Sequence, residues 1–209
     1  MNKNDILSKI LRVFAMYWLV TGVGLFVGGF LPRGLVIPIS ILTVVLMIVM
    51  AFMRTNKKVS YLLSYSVAFL TGITLRSSLA FYLGSLGTAI VLQVFGTTAF
   101  VFILFGIIGY ITKRNLSGLG GILFIALLAL IIFSIIAIFV PIGNVGILIA
   151  SLFGVVIFIG YTLYDFNMIA QGNIREEDIP QVALGLYLDF LNLFLDLLRL
   201  VNAAKNIIE

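Results

Sequence analysis

The chain has 209 residues, 62% hydrophobic and 10% charged, with a mean hydropathy of +1.25. A soluble domain carries about 25% charged residues, so the composition indicates a single integral membrane domain and no separate soluble one. The formal charge of +5 reflects loop Lys and Arg residues, as membrane topology requires, and is no sign of nucleic-acid binding. The absence of Cys and His excludes a disulfide framework, Cys or His metal sites, haem held by His or Cys, and Ser–His catalysis. It also makes a carboxylate the group that would sense pH near neutrality, since the usual imidazole is missing.

Apolar runs of spanning length lie at about 11–31, 35–53, 59–75, 88–111, 117–140, 145–170 and 181–201, which predicts an all-α membrane protein with seven transmembrane helices. The first run exceeds a signal-peptide core, and no small-residue cleavage pattern follows Gly28 and Gly29, so it reads as a retained helix. The breaks have identifiable chemistry. Pro32, Arg33 and Gly34 make a tight turn, Arg54 to Lys58 a basic loop, and Lys113, Arg114 and Asn115 a second basic turn. The stretch 76–87, with Ser77, Ser78, Gly84, Ser85 and Gly87, reads as irregular or partly helical. Pro141 and Gly143 mark a neutral turn, and Pro180 suits the first turn of the last helix. Glycines within the runs (Gly22, Gly24, Gly28, Gly29, Gly106, Gly109, Gly154 and Gly160) predict close helix packing. Trp18 and several Tyr residues suit interface or core positions. With seven crossings, nine of the 13 Lys and Arg residues fall on the N-terminal side. This predicts a cell-membrane protein with a cytoplasmic N-terminus and an outside C-terminus. No internal repeat supports an inverted-repeat transporter.

The last run is the unusual one. It carries Asp189, Asp196 and Arg199, three charges that cost roughly 8–10 kcal/mol at a bilayer centre, against about 4–7 kcal/mol of favourable transfer from its apolar residues. Gly185, Asp189, Asn192, Asp196, Arg199 and Asn202 are spaced by three or four residues and line one helix face. A helix with such a stripe belongs inside a bundle, its charges turned towards protein or water. The sixth run holds Tyr161, Tyr164, Asp165 and Asn167 near its end. Asp165 lies about five residues, or roughly 8 Å, before the loop, and Asp189 about nine residues, or roughly 13 Å, after it. Antiparallel neighbours thus hold two carboxylates at similar depth. Two such groups cannot both ionise cheaply, and they are expected to share a proton and titrate as a unit. Asp196 and Arg199, one turn apart, suit either an ion pathway or a structural pair. In the pathway reading Asn192 and Asp196 give successive oxygen sites, and Arg199 acts as an electrostatic stopper.

Tyr164-Asp165-Phe166-Asn167, then Leu186-Tyr187-Leu188-Asp189-Phe190-Leu191-Asn192-Leu193-Phe194 and Leu197-Leu198-Arg199, resemble the transmembrane BAX inhibitor motif (Bax inhibitor-1) family, its bacterial members most closely. Phe69-Leu70-Thr71-Gly72-Ile73-Thr74 in the third run adds to the resemblance, which covers nearly the whole chain. It implies six helices around a central seventh, and a pH-sensitive calcium leak in which Asp165 and Asp189 act as sensor and latch with Arg54 as a basic partner. The pattern departs at Thr43, where bacterial relatives can carry an acid.

The implied partners are calcium ions, protons and the lipid bilayer. No cofactor is expected, and calcium at Asp165 and Asp189 is expected to bind weakly, since calcium takes six to eight oxygens and no loop here resembles a cage. Three other functions fit the same residues: a proton-coupled calcium exchanger, a non-conducting membrane interaction protein held together by its polar stripe, and an intramembrane aspartyl protease. The last is disfavoured, because Leu186 and Leu188 stand where a Gly-x-Gly-Asp motif needs glycine. The chain is therefore read as a conducting protein and not as an enzyme.

Overall fold

A computed structural model describes residues 3–52, 57–172 and 174–209, and among them there is no strand. Seven α-helices follow one another: α1 Lys3–Gly28, α2 Val36–Phe52, α3 Lys57–Leu86, α4 Thr88–Ile111, α5 Leu119–Phe139, α6 Asn144–Gln171 and α7 Ile179–Ile208. Single 3₁₀ turns at Arg33–Leu35 and Glu176–Asp178 precede α2 and α7. The all-α, seven-helix architecture agrees with the sequence reading.

Five of these helices are long and apolar enough to cross a membrane, namely those containing Asp5–Gly28, Lys58–Leu86, Thr88–Ile111, Leu119–Ala137 and Asn144–Gln171. The apolar part of α2, Val36–Met50, is shorter. The last helix, α7, which carries Asp189, Asp196 and Arg199, is not among the five.

Several helices outrun their apolar cores. The stretch 76–87, read above as irregular, continues α3 to Leu86 and breaks only at Gly87, whose φ of 82° is a conformation that suits glycine. Isolated Ser and Gly residues cost a helix about 1 kcal/mol or less each, too little to end one that is otherwise supported. Likewise α1 begins at Lys3 and α7 extends to Ile208, because hydropathy marks where a helix enters lipid and not where its hydrogen bonding stops. Gly172, at φ 80°, closes α6 in the left-handed conformation.

The chain divides into two compact units, one of Met1–Gly84 with Asn173–Tyr187, the other of Ser85–Gly172 with Leu188–Glu209. In the first unit α1 and α3 touch backbone to backbone. A Cβ on Gly24 would overlap the Phe69 carbonyl, and one on Gly72 would overlap the Thr21 carbonyl. Around that contact lies a buried polar knot. The Thr21 hydroxyl is 2.8 Å from the Tyr17 carbonyl, 3.2 Å from the Ala68 carbonyl and 2.8 Å from the Tyr187 hydroxyl. Tyr17 donates to the Pro180 carbonyl at 3.0 Å. The Tyr17 ring meets those of Tyr65 and Tyr187 edge-on, with centroids 5.1 and 6.0 Å apart. Tyr17 and Tyr187 are thus core residues, each hydroxyl satisfied where water is absent.

In the second unit α4 packs along α6. Gly109 lies against the Leu163 backbone, and Gly106 against the Phe166 ring, 2.9 Å from where a Cβ would stand. Phe102 joins Phe166 of α6 to Phe190 of α7, with centroid separations of 5.7 and 5.3 Å, and Phe95 meets Phe190 and Phe194 at 5.6 Å each. This aromatic column fixes the part of α7 that carries Asp189. Against α6, α5 is a thin outer layer: its spanning window Leu119–Ala137 has no buried residue, and it touches α6 through Leu123 over Gly160 and Gly120 over Tyr164. By contrast α7 buries residues around its circumference, including Leu186, Tyr187, Asp189, Phe190 and Leu191, and its only large exposed apolar side chains among the described residues are Ile207 and Ile208 at its end.

Candidate functional site

Asp165, near the C-terminal end of α6, and Asp189, in the first half of α7, both belong to the second unit. Their carboxyl groups are within hydrogen-bonding reach of each other. Asp189 is buried, with 6% of its surface exposed, and Asp165 is part-buried. The Oδ2 atom of Asp189 is enclosed and receives no N–H or hydroxyl donor among the described residues. A carboxylate can only accept, so two carboxyl groups in contact need a proton between them to form a hydrogen bond. Leaving both ionised there would set two like charges together in a poorly solvated place. Tyr161 lies within electrostatic reach of both acids, and Tyr164 of Asp165.

The local sequence explains why this arrangement holds. Asn167, two residues beyond Asp165, is fully buried. Its amide nitrogen donates to the carbonyls of Gly109, Thr112 and Arg114 at 3.2, 2.9 and 3.1 Å, and its oxygen accepts from the Leu116 N–H at 2.9 Å. One side chain thereby satisfies the end of α4 and the turn into α5, groups that a helix terminus leaves unpaired. Asn167 was legible only as part of a motif, since its partners are more than 50 residues away and all of them are backbone atoms.

The rest of the polar stripe divides. Asn192 is half-buried, and its side chain makes no hydrogen bond among the described residues. Asp196 is buried and accepts a 2.6 Å hydrogen bond from Arg199 Nη1, while the Arg199 side chain is 42% exposed. The other Asp196 oxygen fills the space above Gly154 of α6, where any Cβ would collide with it. The general expectation of close packing at Gly154 thus takes a specific form: the glycine makes room for a carboxylate. At the end of the stripe, Asn202 accepts a hydrogen bond from the Ser85 hydroxyl, and Lys205 donates to the Ser85 carbonyl at 2.9 Å.

Arg54, the expected basic partner, lies outside the described residues. Thr43 donates within its own helix, to the Ile39 carbonyl at 2.8 Å. Among the described residues no three acidic, His or Cys side chains gather, so the donors offered to a cation at this place are the Asp165 and Asp189 carboxyls.

Comparison with known proteins adds an independent line. Residues 3–206 match the family described as Inhibitor of apoptosis-promoting Bax1. The inner membrane protein YbhL of Escherichia coli K12 is 34% identical over 188 residues, covering 84% of this chain and 78% of YbhL. A Borreliella burgdorferi protein is 35% identical over 161 residues, 73% of this chain and 66% of its own length. A Streptococcus pyogenes membrane protein is 36% identical over 129 residues, 59% of this chain and 56% of its own. A family match running almost from end to end, on a chain whose helices are built to cross a bilayer, shows that this protein is a membrane protein of the Bax inhibitor-1 family.

Proposed function

We propose that the chain is a pH-sensitive calcium leak channel gated by the Asp165–Asp189 pair. The observation that carries this reading is the approach of two carboxyl groups on different helices to hydrogen-bonding reach, one of their oxygens enclosed with no donor among the described residues. Intramembrane carboxylates are expensive and usually mark ion or proton pathways. The singly protonated pair ties α6 to α7. A second proton removes the charge-assisted bond, and loss of the shared proton leaves two repelling carboxylates. Either change loosens the helices where the pair joins them. Calcium passing this point would exchange water for a few weak oxygen ligands and leave again, as permeation requires. From the resemblance, Arg54 supplies a basic partner to the pair, and the Lys and Arg asymmetry supports a cytoplasmic N-terminus and an outside C-terminus.

The test is calcium flux into liposomes holding the purified protein, with and without an opposing proton gradient. Flux is expected to change between about pH 6 and 8 as the pair gains or loses its shared proton. Asp165→Asn and Asp189→Asn should each flatten that profile. An unaltered profile in both variants would remove the pair from the mechanism, and flux that follows the proton gradient would make the protein an exchanger. A second reading has its own observation: Asp196 packs on Gly154 of α6 and Asn202 accepts a hydrogen bond from Ser85, so that the stripe holds helix to helix. If the wild type passes no calcium, the stripe is a structural seam and the protein a non-conducting interaction partner.

A further inference from the structure

The first unit contains a cavity of about 730 Å³ that the dyad does not touch, between the end of α1, the turn into α2 and the latter part of α3. Leu31, Leu35, Ile39, Ile73 and Phe81 supply its apolar walls, and Arg76 and Ser77 its polar side chains. Arg76 is exposed and forms no ion pair among the described residues. Its guanidinium lies across Gly29, with Cζ and Nη2 each 3.7 Å from where a Cβ would stand, and its stem packs on Gly28. The two glycines therefore seat a cation flat against the end of α1, beside an apolar cavity.

Depth says what such a site meets. Arg76 follows Lys58 by 18 residues along α3, about 27 Å at 1.5 Å per residue. The hydrocarbon layer is about 30 Å thick, so with Lys58 at one interface Arg76 stands at the other, at headgroup level. Leu35 and Ile39 step from this level down the start of α2. A guanidinium at headgroup depth above an apolar wall matches a phosphate joined to an acyl chain: the planar fork suits two phosphate oxygens, and the wall suits methylenes. Among the described residues, a protein segment would find there a single cation and no acceptor side chain beyond Ser77. We propose that this groove binds one anionic phospholipid, its phosphate on Arg76 and an acyl chain along Leu35 and Ile39, in the leaflet opposite the end of α3 that carries Lys58.

Native mass spectrometry of the purified full chain in detergent tests this, with phosphatidylglycerol, phosphatidylcholine and inorganic phosphate as probes. Wild type should retain one phosphatidylglycerol about fivefold more tightly than phosphatidylcholine, the scale of one basic side chain acting on an anionic headgroup. Arg76→Gln should reduce that preference to within about twofold. Ala80→Trp, which fills the groove and keeps the charge, should lose the bound lipid, and both variants should keep the wild-type helical circular dichroism. Equal retention of the two lipids by wild type, or a preference that survives Arg76→Gln, would overturn the proposal. Undiminished binding by Ala80→Trp would reduce Arg76 to a cation at the membrane surface without a site. Displacement of the lipid by millimolar inorganic phosphate would make free phosphate the ligand and overturn the lipid assignment.

Discussion

Asn167 has more riding on one side chain than any other polar residue of the second unit. Cutting it to Ala would leave three carbonyls and the Leu116 N–H without their partner. Each buried polar group left unpaired costs about 1–3 kcal/mol, though water entering at the turn offsets part of this. Asn167→Ala should therefore lose about 2–4 kcal/mol, read as a lower unfolding midpoint in detergent. Asn167→Asp keeps the acceptor for Leu116 but presents an oxygen to the three carbonyls, and should do no better. The Asp196–Arg199 pair makes a different kind of prediction, because its two members differ in exposure. Arg199→Gln strands a buried carboxylate, whereas Asp196→Asn leaves an arginine that water can reach. Removing one partner of a buried pair costs most when the other stays buried and charged, so Arg199→Gln should lower thermal stability more than Asp196→Asn. If the pair also guards an ion path, Arg199→Gln should raise calcium flux per folded protein and Asp196→Asn should lower it. Loss of stability in both, with no change in flux, would make the pair purely structural.

Among the helices, the α1–α3 contact is the one where space alone decides. A methyl on Gly72 would meet the Thr21 carbonyl and the Gly24 Cα, which are backbone and cannot rotate away. Overpacking of this kind costs about 1–3 kcal/mol or more, so Gly72→Ala should separate the two helices and lower the unfolding midpoint. Gly22, on the same α1, has nothing within 4 Å of its Cβ position, and Gly22→Ala should be neutral or stabilising by up to about 1 kcal/mol. Equal effects at the two positions would mean that close packing is not what these glycines provide. The outermost helix shows the opposite design. The exposed side chains of α5, among them Ile122, Phe124, Ile125 and Ile132, are apolar because lipid, not protein, is their solvent.

For the molecule as a whole, the open quantity is which way it sits. Nine basic residues against four argue for an outside C-terminus if α7 crosses the membrane. Alkaline phosphatase fused after Glu209 should then be active in a bacterial host, and green fluorescent protein fused there should be dark. The reverse result would mean that α7 enters and returns on the cytoplasmic side.

Composition alone determined that this is a helical membrane protein, because apolar runs of this length have few other ways to satisfy their backbone than as helices in lipid. The spacing of the stripe on α7 was also legible, since a helix has one rise and one period. Tertiary structure decided what each polar residue meets. It turned 76–86 into helix, made Tyr17 and Tyr187 core, paired Asp196 with Arg199 over a glycine of another helix, and gave Asn167 four backbone partners. Those outcomes depend on side-chain and backbone atoms of segments distant in sequence, and the period of a single helix carries no information about which neighbour fills the space beside it.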